Sequence, residues 1–299
     1  MVWPFGKRTK KRGPSGPTMN FENLGQLITR GKLAEAAESV GRLEGKGSAE
    51  DHFALFCICL LLGDLDRAER ALGFISSSDR EVPDAVKVYA GLLNAERTRQ
   101  QWRASAGNRP SAFADPPSYI LLQCKAWHEF LHGEKEKAIG YLNAALERRP
   151  SVEGEIRTHD GERIRFDDLG DADTFSEGAL EVLTPDRFFL VPFADLVSIE
   201  MDVPENLFEA VLLPARIRTK SKLDGMVWVP VLYAGSHLDD SGPVRTGNST
   251  KWKWLAEGVA CGVGQRVMRV LNCNSEEDDA GIEFPWKIVR AIRVEKVLY

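Results

Sequence analysis

The first half of the chain repeats one pattern: a helix of spaced apolar residues, a glycine, and a second helix rich in Ala and Leu. Apolar residues recur at positions i, i+3 and i+4, which is the period of a helix with one buried face. Gly31, Gly63 and Gly133 mark the turns of three such helix pairs, of which the clearest runs from Tyr119 to Pro150. The pattern therefore predicts paired helices as far as Pro150.

The spacing of these glycines is close to that of tetratricopeptide repeats. The first two are 32 residues apart and the second and third are 70 apart, near one and two periods of about 34 residues. A degenerate repeat is expected in the longer interval, as one helix over Asp84–Trp102 followed by a loop at Gly107–Pro110. We therefore predict a tetratricopeptide-like domain over residues 19–150. Stacked repeats leave a concave groove, which usually takes a peptide or a helix.

After Pro150 the pattern changes to short apolar and β-branched runs of period two, separated by Gly, Pro and Asp. Thr184-Pro185-Asp186 joins two of these runs and predicts a tight hairpin. Only Glu205–Val211 and Lys253–Ala256 have a helical pattern. The predicted strands are Arg163–Phe166, Ala179–Leu183, Arg187–Val191, Val197–Met201, Ala215–Thr219, Met226–Leu232, Arg266–Leu271, Ile282–Phe284 and Ile288–Val294.

These short runs favour a small antiparallel barrel or sandwich, because a parallel sheet would need crossover helices. We expect this β-rich domain to occupy residues 151–299. The predicted fold class is thus α+β. Tetratricopeptide-like helical repeats come first, and a mainly antiparallel barrel-like or sandwich-like domain follows.

Composition predicts a folded chain with one exception at its beginning. The chain has 43% hydrophobic and 28% charged residues, which is ordinary for a globular protein. Residues 1–18 carry five Lys and Arg and no acidic residue, and we expect an unfolded basic leader or tag there. Neither an apolar secretory segment nor a run of about 18 apolar residues is found. A cytoplasmic protein without a membrane partner is expected.

Charge and cysteine usage narrow the class of protein further. The net charge is −5, and the leader holds five of the cations, so the rest of the chain is more acidic still. A nucleic-acid-binding domain normally carries a basic patch, and we therefore predict no nucleic-acid partner. The five cysteines are scattered. Cys57 and Cys59 would face different sides of a helix and cannot pair, which favours a reducing compartment.

The sequence lacks the short motifs that carry a defined catalytic mechanism. No P-loop, no His-Glu-x-x-His and no Gly-x-Ser-x-Gly occurs. Gly262 and Gly264 form a lone Gly-x-Gly that runs into a strand, whereas a dinucleotide site needs a third glycine and a helix. His128 and His132 share a helix face, but no third metal ligand accompanies them. Neither catalysis nor a cofactor is predicted.

The most concentrated polar feature is a group of carboxylates at Asp167, Asp168, Asp171 and Asp173. A calcium loop needs ligands at alternating positions and a Glu at position 12, and neither spacing is met, although Glu177 is nearby. A divalent-metal-dependent enzyme or metal-binding module using this group is the alternative function. The other interpretation is a loop between the domains, in which Asp side chains form turns or an acidic docking patch.

An aromatic and basic strip at Lys251–Trp254 is the second candidate surface. Trp252 and Trp254 flank Lys253, an arrangement that single-strand binders use for base stacking. The negative charge of the chain disfavours that use. We expect half-buried aromatic residues at the rim of the β domain, and exposed ones would be natural anchors for a protein partner.

Several strings of this sequence, following the helical first half, resemble the ImpE family, also called TagJ or SciE. They occur in the family's order and the resemblance covers roughly residues 21–295. The strings are Asp167–Asp173, Leu180–Val182, Phe189–Phe193, Leu213–Arg216, Val229–Gly235, Thr250–Trp252 and Gly262–Arg266.

The chain departs from the family pattern at three places. Glu209–Leu212 stands where the family commonly has Asp-Leu-x-Trp, and Lys251 stands where it has Glu. The Arg-rich approach to Trp252 is reduced to Arg245. If these positions contact a partner, this chain recognises a variant of it or uses another surface.

The resemblance implies a non-catalytic accessory protein of the bacterial type VI secretion system, working in the cytoplasm beside the contractile sheath. It implies binding to the small sheath subunit TssB through that subunit's N-terminal helix, and an indirect link to the sheath-disassembling ATPase ClpV. The candidate partner-binding residues are Asp167, Asp168, Asp171, Asp173, Arg245, Trp252 and Trp254.

Overall fold

The computed structural model describes residues 21–78, 83–105, 110–111, 115–185, 187–204, 206–271 and 281–299. The basic leader and most of the predicted loop at Gly107–Pro110 lie outside these residues. The first half is helical and the second half is built from strands. The long helices are α1 (Phe21–Thr29), α2 (Leu33–Gly41), α3 (Ala49–Leu62), α4 (Leu65–Ser78), α5 (Pro83–Ser105), α6 (Ser118–Leu131) and α7 (Lys135–Leu146).

The three predicted glycine turns are confirmed. Gly31, Gly63 and Gly133 have φ of 73°, 69° and 81° and separate α1 from α2, α3 from α4, and α6 from α7. Glycine is favoured here because a side chain would strain this left-handed conformation. Ser48 begins α3 with a reciprocal capping box to Asp51. The helical first half is confirmed, whereas the tetratricopeptide assignment is not.

Helix α5 is the unpaired helix that the sequence predicts over Asp84–Trp102, and it is longer than expected at 23 residues. It packs against α4 and α6 on one side and against two strands of the second half on the other. Apolar residues such as Leu92, Leu93 and Ala95 are buried along it. Because it is covered on several sides, α5 is the place where the two halves meet.

The second half contains 13 strands and a short helix among the described residues. The strands are β1 (Ser151–Thr158), β2 (Arg163–Phe166), β3 (Asp168–Asp171), β4 (Ala179–Thr184), β5 (Arg187–Pro192), β6 (Leu196–Met201), β7 (Leu212–Thr219), β8 (Asp224–Pro230), β9 (Thr250–Ala256), β10 (Val259–Gly264), β11 (Val267–Leu271), β12 (Ile282–Pro285) and β13 (Val289–Leu298). The short helix is α8 (Gly242–Arg245).

The strands form one large antiparallel sheet and two small ones. The large sheet has the order β2-β1-β13-β6-β7-β8-β4-β5, and the small ones are β10-β9 and β12-β11-β3. Its outer strands β2 and β5 are separate edges, so the predicted barrel is wrong for the described residues: the sheet does not close. Apolar residues of the three-stranded sheet, such as Leu169 and Met268, share a core with Ile156 and Ile199 of the large sheet. This packing is sandwich-like.

Local predictions in the second half had mixed outcomes. The predicted hairpin between β4 and β5 is confirmed, because the two strands are antiparallel and Thr184 pairs with Arg187, although Asp186 itself lies outside the described residues. The helix predicted over Lys253–Ala256 is wrong, because these residues belong to β9. The other predicted helix is also wrong, since described residues 206–211 form bends and turns. Strands β1, β3, β9 and β10 were not predicted.

The two halves share one apolar core instead of meeting at a narrow linker. Helical residues such as Phe56 and Trp102 lie in the same cluster as Phe188 and Phe208 of the second half. Trp102 and Phe188 have ring centroids 5.8 Å apart. The apolar side of the helices that was predicted to line an open groove is thus packed against the β-rich half. A partner helix has no such groove to enter among the described residues.

Two helix turns also contact the segment between β8 and β9, which includes α8. A Cβ on Gly31 would lie 2.5 Å from the backbone of Gly242, and a Cβ on Gly63 would overlap the ring of His237. By contrast, a Cβ on Gly133 would meet nothing within 4 Å. The first two glycine turns therefore allow close contact between the halves, and the third does not serve that purpose.

Candidate functional site

A buried group of charged side chains lies where α5 meets the β-rich half, and we call it the ionic centre. It combines three residues of α5 with residues of β3, β4 and the segments around β8 and β10. Its members are Glu96, Arg99, Arg103, Asp171, Asp173, Glu181, Tyr233 and Arg266. Every member is at most 7% exposed. Buried charges need partners of opposite sign, because the loss of hydration is otherwise uncompensated.

Glu181 of β4 is the hub of the centre. Its Oε2 accepts two hydrogen bonds, one from Arg99 Nε at 2.7 Å and one from Arg266 Nη1 at 2.8 Å. Arg99 also donates to Glu96 at 2.9 Å and to the carbonyl of Leu232 at 2.5 Å. The carboxylate of one strand thus joins the central helix to the segment that precedes β11.

Asp171 of β3 occupies the second position. Its Oδ2 accepts from Arg266 Nε at 3.1 Å and from Nη2 at 2.5 Å, and its Oδ1 accepts from the hydroxyl of Tyr233 at 2.8 Å. The Tyr233 oxygen in turn accepts from the backbone N–H of Val267 at 3.2 Å. Both carboxylate oxygens are therefore satisfied by protein donors.

Asp173 and Arg103 form the third part of the centre. Arg103 Nη2 donates to Asp173 Oδ2 at 2.9 Å, and the Arg103 guanidinium lies 4.0 Å from the ring centroid of Trp127. Asp173 also accepts from the backbone N–H groups of Phe175 at 2.8 Å and Gly262 at 3.0 Å. Asp173 thereby fixes a turn of its own segment and holds β10 beside it.

The electrostatics of the centre favour charged Glu181 more than charged Asp171. Burial opposes ionisation of Glu181, but Arg266 and Arg99 outweigh it and lower its pKa to about 2. Burial raises the pKa of Asp171 above its ordinary value despite the neighbouring Arg266. Its carboxylates on β3 and β4 accept from arginines of α5 and of the segment before β11, so the arrangement is that of a structural clamp between the two halves.

The predicted acidic loop is corrected by the structure. Asp168 and Asp171 begin and end strand β3, and Asp168 forms a bidentate ion pair with Arg149 at the end of the helical half. Asp168, Asp171 and Asp173 are 9%, 1% and 0% exposed, and Asp167 is half-buried. The first three carboxylates cannot be reached by a partner without opening the protein. They are buried because arginines from other elements neutralise them.

The alternative of a metal site gains no support from this geometry. Among the residues that the structure describes, no group of three or more His, Cys, Asp and Glu is placed to hold a metal ion. The carboxylates of Asp168, Asp171 and Asp173 are each engaged by an arginine. His128 and His132 are exposed and stacked, with ring centroids 4.2 Å apart.

The remaining predicted residues lie outside the ionic centre. Trp254 of β9 is 66% exposed, whereas Trp252 is half-buried with its ring edge-on to Tyr233 at 6.0 Å. Arg245 is half-buried at the end of α8. Lys251 donates to Asp239 at 2.8 Å, next to Leu238, which is 78% exposed. The predicted residues thus form two groups, the buried carboxylates and a partly exposed surface around β9. Trp252 connects the two groups, because its ring contacts Tyr233 of the ionic centre.

Two cavities accompany these features. A cleft of about 310 Å³ lies at the edge of β5, lined by Pro117, Tyr119, Pro192, Lys220 and Tyr299 among others. A smaller cavity of about 30 Å³ lies beside Glu96 and Arg99 and is large enough only for a water molecule. Gly262 and Gly264, the lone Gly-x-Gly, belong to β10 and line neither cavity.

Sequence reasoning missed six residues of the ionic centre: Glu96, Arg99, Arg103, Glu181, Tyr233 and Arg266. A signal for them was present. Glu181, Tyr233 and Arg266 lie inside the strings that resemble the ImpE family, together with Asp171 and Asp173. The family strings therefore meet in space at the ionic centre, although they are spread over about 100 residues of sequence.

Comparison with known proteins agrees with the family resemblance. Residues 163–275 match the model of the ImpE protein family. The type VI secretion system accessory component TagJ of Pseudomonas aeruginosa is 28% identical over 249 residues, which cover 81% of this chain and 83% of TagJ. The crystal structure of protein VPA1032 from Vibrio parahaemolyticus has the same fold, with a TM-score of 0.77 at 19% identity, covering 92% of this chain and 98% of that one.

No helix among the described residues has the length and apolar character needed to span a membrane. The matched region at residues 163–275 contains most of the ionic centre, whereas Glu96, Arg99 and Arg103 come from the helical half. The resemblance predicted from the sequence is supported by these matches: the chain is similar to the ImpE family over residues 163–275 and to TagJ over 249 residues.

Proposed function

We propose that this chain is a non-catalytic accessory component of a bacterial type VI secretion system, and that it works in the cytoplasm by binding another component. The observation that carries the proposal is the similarity to TagJ over 81% of this chain. That match is too long to be confined to the β-rich half, so it includes helices as well. A clamp-like ionic centre that joins the two halves is in keeping with a binding protein.

The proposed partner is the small sheath subunit, a TssB-like protein, held through its N-terminal helix. Binding of the sheath subunit would in turn link this chain to ClpV-dependent recycling of the sheath. The support for this partner is the family resemblance. An amphipathic helix binds by laying its apolar face on an apolar surface, so such a surface must be accessible on this chain.

The groove that was expected between the helices is filled, and we place the partner helix on the β9 surface instead. This surface consists of Leu238, Arg245, Lys251, Trp252 and Trp254. Leu238 and Trp254 are exposed apolar side chains, at 78% and 66%. Among the described residues β9 pairs only with β10, so its other edge has no strand beside it. Exposed tryptophans are the residues that most often dominate a binding interface.

The ionic centre would support this surface indirectly. Trp252 packs on Tyr233, whose hydroxyl donates to Asp171, and Asp173 holds β10 through the N–H of Gly262. Loss of the centre would therefore displace β9 without removing any contact residue. On this proposal the buried aspartates position the surface and do not touch the partner.

The proposal is tested by calorimetry with the purified chain and a purified TssB-like subunit, intact or without its first helix. We expect binding in the micromolar range that is lost when the helix is deleted. Trp254→Ala should weaken binding about tenfold or more, because a buried tryptophan anchor contributes about 2 kcal/mol. Absence of binding to the intact subunit at about 50 µM would overturn the proposed partner.

Met226→Ala is a matched control, because Met226 is 45% exposed but lies on the large sheet. It should leave the affinity unchanged. Equal losses in the two variants would contradict the β9 surface but not the partner. The ClpV link predicts that ClpV is retained on the immobilised chain only when the sheath subunit is also present.

A further inference from the structure

The outer face of the large sheet carries a second, separate feature, which we call the arginine face. Side chains alternate between the two faces of a strand. The register of β2, β1, β13, β6, β7 and β8 therefore aligns their exposed side chains in two rows across the sheet. The arginine face consists of Arg157, Arg163, Arg165, Arg216, Arg218 and Arg293, with Glu155, Glu200 and Asp224 between them. Positive charge exceeds negative charge there, although the whole chain has a net charge of −5.

Half of these arginines already have carboxylate partners. Arg163 pairs with Glu155 at 3.2 Å, Arg165 with Glu295 at 2.8 Å, and Arg216 with Asp224 at 3.3 Å. The three remaining arginines, Arg157, Arg218 and Arg293, are exposed. Arg293 and Arg218 are opposite Glu155 and Asp224 in register, but these carboxylates form their ion pairs with Arg163 and Arg216 instead.

The unpaired guanidiniums lie close together. Arg293 and Arg218 both flank Ser198 in register, on β13 and β7, so they are about 10 Å apart at the usual strand spacing. Arg157 is opposite Ala291, two residues from Arg293 on the same face of β13. The three arginines thus surround Ser198 and Ala291, which are short side chains that leave space between them.

Two features of this face are unfavourable for stability alone. Arg157 is directly opposite Arg163 in the register of β1 and β2, and like charges in that position repel. At the adjacent β7–β8 turn, Lys222 has φ of 73°, which favours glycine over a side chain. Lys222 is exposed in this turn, whereas Lys220 donates to the carbonyl of Ala194 at 2.8 Å. Unpaired, crowded cations of this kind have a use when a negatively charged partner covers them.

We propose that the arginine face binds an acidic segment of a partner protein, with carboxylates on Arg157, Arg218 and Arg293. Guanidinium matches a carboxylate with two parallel hydrogen bonds. Glu155, Glu200 and Asp224 interrupt the cations at fixed places, so a uniform row of phosphates would meet repulsion that a segment of spaced carboxylates avoids. This surface lies on a different sheet from β9, and the inference is independent of the proposed sheath partner.

The test uses a fluorescein-labelled peptide of ten residues in which Glu alternates with Gly, and fluorescence anisotropy with the full chain at about 50 mM NaCl. We expect saturable binding that weakens as salt rises. The triple variant Arg157→Gln, Arg218→Gln, Arg293→Gln should bind the peptide at least tenfold more weakly. Absence of binding by the unaltered chain would overturn the inference.

A matched variant separates a specific face from a general effect of charge. Arg30→Gln, Lys46→Gln and Lys135→Gln remove the same charge from exposed positions of the helical half, and this variant should bind within about twofold of the unaltered chain. Equal losses in the two triple variants would overturn the arginine face as a site. Tighter binding to a 20-base-pair DNA duplex or to phosphatidylserine vesicles than to the peptide would overturn the acidic-protein class.

Discussion

The ionic centre and the arginine face use the same side chains in opposite surroundings. In the centre, the Arg99 and Arg266 side chains are 2% and 0% exposed. On the arginine face, Arg163 and Arg216 are 69% and 68% exposed, although each also has a carboxylate within 3.3 Å. Water screens the exposed pairs, which stabilise a protein by at most about 1 kcal/mol each. The attraction between the two charges of a buried pair is much stronger, because neither partner is hydrated.

This difference separates two roles. Removing one member of a buried pair leaves an uncompensated charge inside the protein, so the centre holds the halves in one arrangement. Members of an exposed pair can exchange their partner for water or for another protein at little cost. Burial, not residue type, therefore decides which cluster maintains the fold and which is available for binding.

The sharpest way to test the comparison is to remove one arginine from each cluster. Arg266→Leu removes the donor that both Asp171 and Glu181 use and leaves their carboxylates buried with fewer partners. We expect the free energy of unfolding to fall by about 3–5 kcal/mol. Urea denaturation followed by tryptophan fluorescence measures it.

The exposed counterpart is Arg216→Leu, which removes a pair with Asp224. The free energy of unfolding should change by less than about 1 kcal/mol. Similar decreases in the free energy of unfolding of the two variants would contradict the comparison, because burial would then not change how much an ion pair stabilises the protein.

Acid titration sharpens the comparison within the centre. The lowered pKa of Glu181 means that its charge stabilises the folded chain above about pH 4.5, and this stability is lost as pH falls toward 2. Between about pH 5 and pH 3 the loss should be about 2 kcal/mol for this group. Glu181→Gln should remove that part of the pH dependence of unfolding.

Asp171 has the opposite sign, because burial raises its pKa and acid favours its folded, protonated form. Asp171→Asn should therefore make the fall in stability between pH 5 and pH 3 steeper. A flatter pH profile in Asp171→Asn would show that folding lowers the pKa of Asp171 instead of raising it.

Short-range features of this fold could be predicted from the sequence. Gly31, Gly63 and Gly133 follow apolar helical patterns, and only a left-handed turn explains glycine at each place. The tight turn between β4 and β5 was equally local, since Pro185 presets its backbone. Such features depend on a few neighbouring residues, so no knowledge of the tertiary structure is needed.

The ionic centre could not be predicted in the same way. Charged residues in a sequence usually indicate exposed positions. The residues near Asp171 and Glu181 in the sequence do not indicate that Arg99 and Arg266 contact these carboxylates from distant elements. Residues 167–173 therefore had the pattern of an acidic loop, whereas part of them forms the buried strand β3. Lys253–Ala256 was misjudged for a related reason, because Lys253 and Trp254 fit the outer face of either a helix or a strand.

The glycine turns offer a third test of how the halves are joined. Gly63→Ala introduces strain at φ of 69° and also a Cβ against His237. Gly133→Ala introduces similar strain at φ of 81° but meets open space. Strain alone should cost about 1 kcal/mol in both, and the steric overlap should add about 1–2 kcal/mol in Gly63→Ala. Equal unfolding free energies would show that the turn at Gly63 does not constrain the halves.

The smallest predicted effect has the opposite sign and comes from the arginine face. Arg157→Gln removes one of two like charges that are directly opposite each other on β1 and β2. Because like charges in register destabilise a strand pair by a few tenths of a kcal/mol, the free energy of unfolding should rise by about 0.2–0.5 kcal/mol. Thermal unfolding of Arg157→Gln beside Arg165→Gln, which loses an ion pair with Glu295, resolves such a difference. A lower stability in Arg157→Gln would mean that this arginine is retained for the fold. A gain would mean that its charge opposes the fold, as expected of a residue kept for binding.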